Sequence, residues 1–147
     1  MAAIALVCFA TKSHWLTVDV PQFAIAVKLS PQAEGRLRGT PITVAAYFDG
    51  DPLPGQGTYS APFRDVYLGS IKRPVAQHGV ATFSKVKIPR SDWERLADKN
   101  YYVTINTYSG GPADKNLLAC NDPINQRIET LRGKTIDVFC HLSEEVF

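Results

Sequence analysis

The chain has no run of apolar residues as long as the ~18 that a membrane-spanning helix needs. It has no Cys-x-x-Cys and no His-x-x-x-His, so the usual anchors of a zinc site are missing. It has no Gly-x-Ser-x-Gly turn to raise a nucleophilic serine. Internal repeats, low-complexity tracts and linkers are also missing. Sixteen basic residues stand against fourteen acidic ones, a net charge of +2 that is too small to imply a polyanionic partner. The three cysteines are odd in number and fit no closed disulfide framework.

What is present is ordinary globular composition, 45% hydrophobic and 20% charged, which excludes global disorder. At 147 residues the chain is expected to form a single domain, residues 1–147. A chain of that length buries roughly 68–70% of its extended surface, enough for a proper core.

The pattern within it is period two. The runs 23–29, 42–48, 102–108 and 135–140 alternate large apolar residues with small or polar ones. A strand points successive side chains to opposite faces, so these are half-buried strands. Pro, Gly, Asn and Asp clusters separate them. The expectation is an all-β, antiparallel two-sheet sandwich of about eight strands, with two or three short helical turns. Its core should hold Ile25, Val27, Ile42, Val44, Phe48, Leu68, Phe83, Val86, Val103, Ile105, Ile136 and Val138.

Shorter elements follow from local chemistry. Trp15 to Val20 alternates and stops at Pro21. Ser30-Pro31 reads as N-cap and first residue of a helical turn. Val66 to Ile71 is a strand. Gly79 to Ile88 is another, but its apolar phase slips between Phe83 and Val86, which indicates a bulge or an edge. Ser91-Asp92-Trp93-Glu94 has the form of a capping box, so a short helix should run to about Ala97. Asn116 to Cys120 is a strand, Asn121-Asp122-Pro123 a turn, and Ile128 to Leu131 a helical turn ended by Gly133.

The opening residues 2–10 resemble the apolar stretch of a signal peptide. They lack the basic residues that precede one, and Val7 stands where a lipobox needs a small residue before Cys8. Residues 2–9 are therefore expected to form a first strand. Its residues 2–8, if they lie at an edge, could pair with a second copy. Cys120 and Cys140 end two strands. They either form a bridge, closing a loop of about 20 residues worth roughly 3 kcal/mol in the chain-entropy model, or stay buried thiols. Cys8 is free in both cases. A secreted or periplasmic setting is favoured over a cytoplasmic one.

Leu96-Ala-Asp98-Lys-Asn100-Tyr-Tyr102 resembles the corner before strand F of immunoglobulin-like sandwiches. There a tyrosine hydroxyl bonds back to the upstream backbone. The resemblance implies that general architecture, with Tyr102 as the corner residue, and carries no binding or catalytic residue with it.

The loop Asp49–Gly57 is rich in breakers and is the first choice for a site. Asp49, Asp51 and Asp65 could offer oxygens to Ca²⁺, though without the order of a calcium-binding helix-loop-helix, and a solvated turn explains them as well. No cofactor is expected for a binding module, with Ca²⁺ the one ion its loop could hold. His14, His78 and His141 show no ligand spacing. Lys85, Lys87 and Arg90 along a strand, with Lys72-Arg73 near, could grip nucleic acid. Lysines guarding an edge strand are the better account, and no nucleic-acid partner is expected. Tyr108 and Ser109, with Asp114 in the loop Ser109–Lys115, have the composition of an adaptable binding loop. Alternation places Tyr108 on the solvent face, displayed at the loop mouth. The expected function is a non-enzymatic binding module. It uses loops at one end of the sandwich, with Asp49, Asp51, Tyr108, Ser109 and Asp114 as its binding residues. Its partner should be another protein, with a small molecule or carbohydrate as the other ligand classes. The rival is a small hydrolase or a Ca- or Zn-dependent enzyme on the same scaffold.

Overall fold

A computed structural model describes residues 16–55, 66–110 and 115–145. The fold is all-β, with three sheets, none closed. In chain order the elements are β1 (Thr17–Asp19), β2 (Phe23–Leu29), α1 (Pro31–Arg36), β3 (Ile42–Gly50) and β4 (Val66–Val75). Then come β5 (Val80–Phe83), β6 (Lys87–Pro89), α2 (Arg90–Trp93) and a 3₁₀ turn (Ala97–Lys99). Last are β7 (Tyr102–Ser109), β8 (Leu118–Cys120), β9 (Gln126–Arg127), α3 (Ile128–Leu131) and β10 (Thr135–Leu142).

Two sheets carry four strands each, ordered β5-β2-β10-β8 and β4-β3-β7-β9, and β1 pairs with β6 in a small third sheet. Both four-stranded sheets send alternate residues into one buried cluster, the arrangement of a sandwich. Eleven of the twelve expected core residues are buried there, and Ile136 is half-buried against them. Phe23 and Phe83, paired across β2 and β5, stack with ring centroids 4.9 Å apart.

The expected all-antiparallel arrangement fails at one pair. β10 lies parallel to β2, with Ile136 beside Ile25 and Val138 beside Val27. The long stretch between the two strands lets the chain return in the same direction, which a hairpin cannot do. The phase slip after Phe83 is not a bulge but a change of sheet. Lys85, at φ 57°, turns the chain out of β5, which pairs with β2, into β6, which pairs with β1. A true bulge lies elsewhere, where the β3–β4 register shifts between Phe48 and Asp49, beside Gly69 at φ 124°.

Local signals had mixed outcomes. Ser30 caps α1 as expected, its Oγ accepting from the Ala33 N–H at 3.1 Å. The capping box at Ser91 does not form. The chain leaves β6 at Pro89, which becomes the N-cap of α2 without a side-chain bond, so Ser91 is already inside the helix. Gly133, at φ 68°, follows α3 as expected. The corner tyrosine is corrected too. Among the described residues Tyr102 makes no bond to the upstream backbone, and its neighbour Tyr101 is the one that enters the core. The segment 2–9 expected as a strand, and Cys8 with it, lies outside the described residues.

Candidate functional site

The β3 strand sets the distance between the two expected binding loops. Asp49, near its far end, is paired with Tyr102, while Ile42, at its start, is paired with Ser109. Seven steps of about 3.3 Å separate those positions, roughly 23 Å. Asp49 and Asp51 therefore lie at one end of the sheet and Tyr108 and Ser109 at the other. The structure does not bring them together. Asp114 lies outside the described residues, as do Asp65 and His14.

The first half of the Asp49–Gly57 loop is held rather than free. The Asp51 carbonyl accepts from Ala97 N–H at 2.8 Å, and Leu53 N–H donates to the Arg95 carbonyl at 3.0 Å. Gly50 makes this fit possible. A Cβ placed there would stand 2.6 Å from Leu96 Cδ2 and 3.0 Å from the Asn100 carbonyl oxygen.

At the other end, Tyr108 is fully buried, so its expected display at a loop mouth is wrong. Thr43 and Ala45, on the same face of the sheet, are buried as well, so this face is not a solvent face here. The Tyr108 hydroxyl has no hydrogen-bond partner among the described residues. Lys72 Nζ stands 6.0 Å from its ring centroid. Ser109 is buried and ties down the segment that follows its loop. Its N–H donates to Asn116 Oδ1 at 3.0 Å, and its Oγ accepts from Leu117 N–H at 2.9 Å.

Residues 116–123 do what sequence reasoning missed. They run along the outer side of β7 and cover its open edge. Thr107 N–H and Oγ1 donate to the two carboxylate oxygens of Asp122, at 2.8 and 2.6 Å, and Ile105 N–H donates to the Pro123 carbonyl at 2.8 Å. Burial pushes the Asp122 carboxyl above its ordinary range, against the pull of the two Thr107 bonds. On its other side the segment pairs with β10, Cys120 opposite Cys140, and these two cysteines form a disulfide with Cα atoms 4.1 Å apart.

The basic residues do not form a strand face. Lys85 falls in the turn between β5 and β6. Arg90 and Lys99 instead flank the Trp93 ring, at 5.9 and 5.1 Å from its centroid, and Lys99 Nζ also donates to the Glu94 carbonyl at 2.8 Å. His78 faces Glu34 at 3.4 Å, both largely exposed. Among the described residues no group of three or more His, Cys, Asp or Glu is placed to hold a metal ion.

The end of the sandwich that carries Ser109 is concave. An open groove of about 570 Å³ lies between residues 39–41 and 74–77. Its walls are fixed by backbone bonds. Thr40 N–H donates to the Leu37 carbonyl at 2.8 Å, Gly79 N–H to Ala76 at 2.9 Å, and Gly110 N–H to Pro41 at 2.8 Å. Gly39, at φ 77°, turns the chain out of α1 into the first wall. The last of those bonds ties the start of the Ser109–Lys115 loop to the groove.

No known family matches this chain, and no curated protein or solved structure matches it.

The lining of the groove is Gly, Thr, Pro, Val, Ala and Gln, side chains that neither give nor take a proton near neutral pH. Such a surface can bury a neutral, partly apolar group and offer it hydrogen bonds from Thr40 and Gln77. Its lining holds no titratable acid or base that could activate the Thr40 hydroxyl. No sequence signal marked it, because its two walls come from segments more than thirty residues apart, each of ordinary composition.

Proposed function

We propose that this chain is a non-enzymatic binding module of immunoglobulin-like architecture, and that it takes a neutral segment of a partner protein in the groove of residues 39–41 and 74–77. One observation carries the proposal: a groove of about 570 Å³, within the size range of ligand sites, whose lining has no titratable side chain. Gly110 N–H donates to the Pro41 carbonyl in its wall, so the start of the expected Ser109–Lys115 loop borders the groove. The immunoglobulin-like assignment is supported by the four central strands. β2 and β5 share one sheet and β3 and β7 the other, as strands B, E, C and F do in that architecture. The parallel β2–β10 pair is a departure from it.

The test is quantitative capture from native extract with three proteins: wild type, Ala76→Arg, which puts a charge on the groove, and Asp51→Ala at the opposite end. A partner retained by wild type and by Asp51→Ala, and reduced about tenfold by Ala76→Arg, is the expected result. Equal retention by Ala76→Arg would contradict the proposal.

A further inference from the structure

Residues 116–123 form a strap between the two sheets. One side is bonded to β7 in one sheet, through Asn116, Asp122 and Pro123. The other side is bonded to β10 in the other sheet. Asn121 N–H donates to the Phe139 carbonyl at 3.1 Å, Phe139 N–H donates to Asn121 Oδ1 at 2.7 Å, and Ser143 N–H donates to the Leu117 carbonyl at 2.9 Å. The Cys120–Cys140 disulfide is the strap's one covalent tie to β10.

We propose that this disulfide is a reducible latch, and that its reduction by a dithiol releases the strap locally while the two sheets remain folded. Four observations support it. Neither central strand depends on the strap for its main pairing: β10 is held by β2 from Thr135 to Cys140, and β7 by β3 along its whole length. The strap contributes only the three-residue β8 to the sheet ladder. Cys120, on the strap, is half-buried while Cys140 is buried, so Cys120 is the more exposed of the pair. Finally, Asp122 is held as a desolvated carboxylate, and opening rehydrates it, which favours release once the tie is cut.

The chemistry balances as ordinary thiol–disulfide exchange. A thiolate of the dithiol attacks Cys120 Sγ and the S–S bond breaks. Cys140 leaves as a thiolate and takes a proton from solvent. The reductant's second thiolate then attacks its own sulfur in the mixed disulfide, and Cys120 leaves and is protonated in turn. Two electrons enter the protein, and the reductant ends as a disulfide.

The experiment is residue-resolved hydrogen exchange by NMR on the full chain carrying Cys8→Ser, with and without dithiothreitol at pH 7. The expected result is exchange at least about tenfold faster at Ile105, Thr107, Ser109, Leu117 and Asn121 after reduction. Ile25, Val27, Val44 and Ala46 should stay within about twofold of their oxidised rates. Acceleration at all these sites together would make the bond a global staple and overturn the proposal. So would unchanged rates after complete reduction, or failure of dithiothreitol to reduce the bond without denaturant. The Cys120→Ala/Cys140→Ala double variant repeats the test without reductant, and must show the same local pattern over a protected core.

Discussion

Tyr101 shows how much one side chain can say about pH. Burial, with the Glu129 charge adding to it, pushes its phenol up to about 12. A phenol whose pKa rises on folding leaves stability intact below its unfolded value near 10 and erodes it as pH climbs from there to about 12. Unfolding free energies measured across that window should fall less steeply in Tyr101→Phe than in wild type. Asp122 works in the same sense at the acid end. Its raised carboxyl means that the fold disfavours the charged form, so its contribution weakens as pH rises through the carboxylate range. Asp122→Asn keeps an acceptor for Thr107 N–H and a donor for Thr107 Oγ1, and its urea midpoint at pH 7 should equal or exceed that of wild type. Asp122→Ala leaves both Thr107 groups unpaired and should cost about 1–3 kcal/mol. Tyr108→Phe removes a buried hydroxyl that has no partner among the described residues, so it should be neutral or stabilising by about 1 kcal/mol. Of these residues, Tyr101 was legible in principle, although the corner resemblance pointed to Tyr102 and the expected core omitted Tyr101. Period two places 101, 103 and 105 on one face, and Val103 and Ile105 mark that face as the core. Asp122 was not, because a carboxylate capping a strand fifteen residues away leaves no periodic trace.

Among the elements, a local signal held where no strand pairing competed with it and failed where one did. Ser30-Pro31 started α1 because the cap and the fixed proline φ both act within one turn. Ser30→Ala should therefore lower stability by about 1 kcal/mol in thermal or urea unfolding. Its hydroxyl also donates to Glu145 Oε1 at 2.6 Å, and that bond holds the Glu145 carboxyl below its usual range. Ser91 carried the same kind of signal and failed, since pairing of β6 with β1 committed the chain up to Pro89 before the motif could begin. The apolar slip after Phe83 was visible, but its meaning was not. A change of face looks the same in sequence whether the strand bulges or changes sheet. Gly50 shows the opposite limit, a residue that looks like loop punctuation and is a packing requirement. Gly50→Ala should cost about 1–3 kcal/mol in unfolding measurements, because Leu96 and the Asn100 carbonyl already occupy the space.

At the scale of the whole molecule, alternation gave the two layers and their contents but neither the direction of pairing nor the ends. Val27 and Val138 each alternate correctly whether their strands run parallel or antiparallel, so the parallel β2–β10 pair could not be read in advance. The same blindness grouped Asp49 and Ser109 into one binding surface, although β3 and β7 run antiparallel and hold them at opposite ends. The proposed function depends on that separation. The Asp49 end is tied to residues 95–97, and the groove of residues 39–41 and 74–77, proposed as the binding surface, lies at the other end. Cross-strand proton–proton contacts in a ¹³C,¹⁵N-resolved NOE spectrum test this most directly. Contacts from Ser109 to Ile42 and from Tyr102 to Asp49 are expected; contacts from Ser109 to Asp49 would overturn the separation of the two ends.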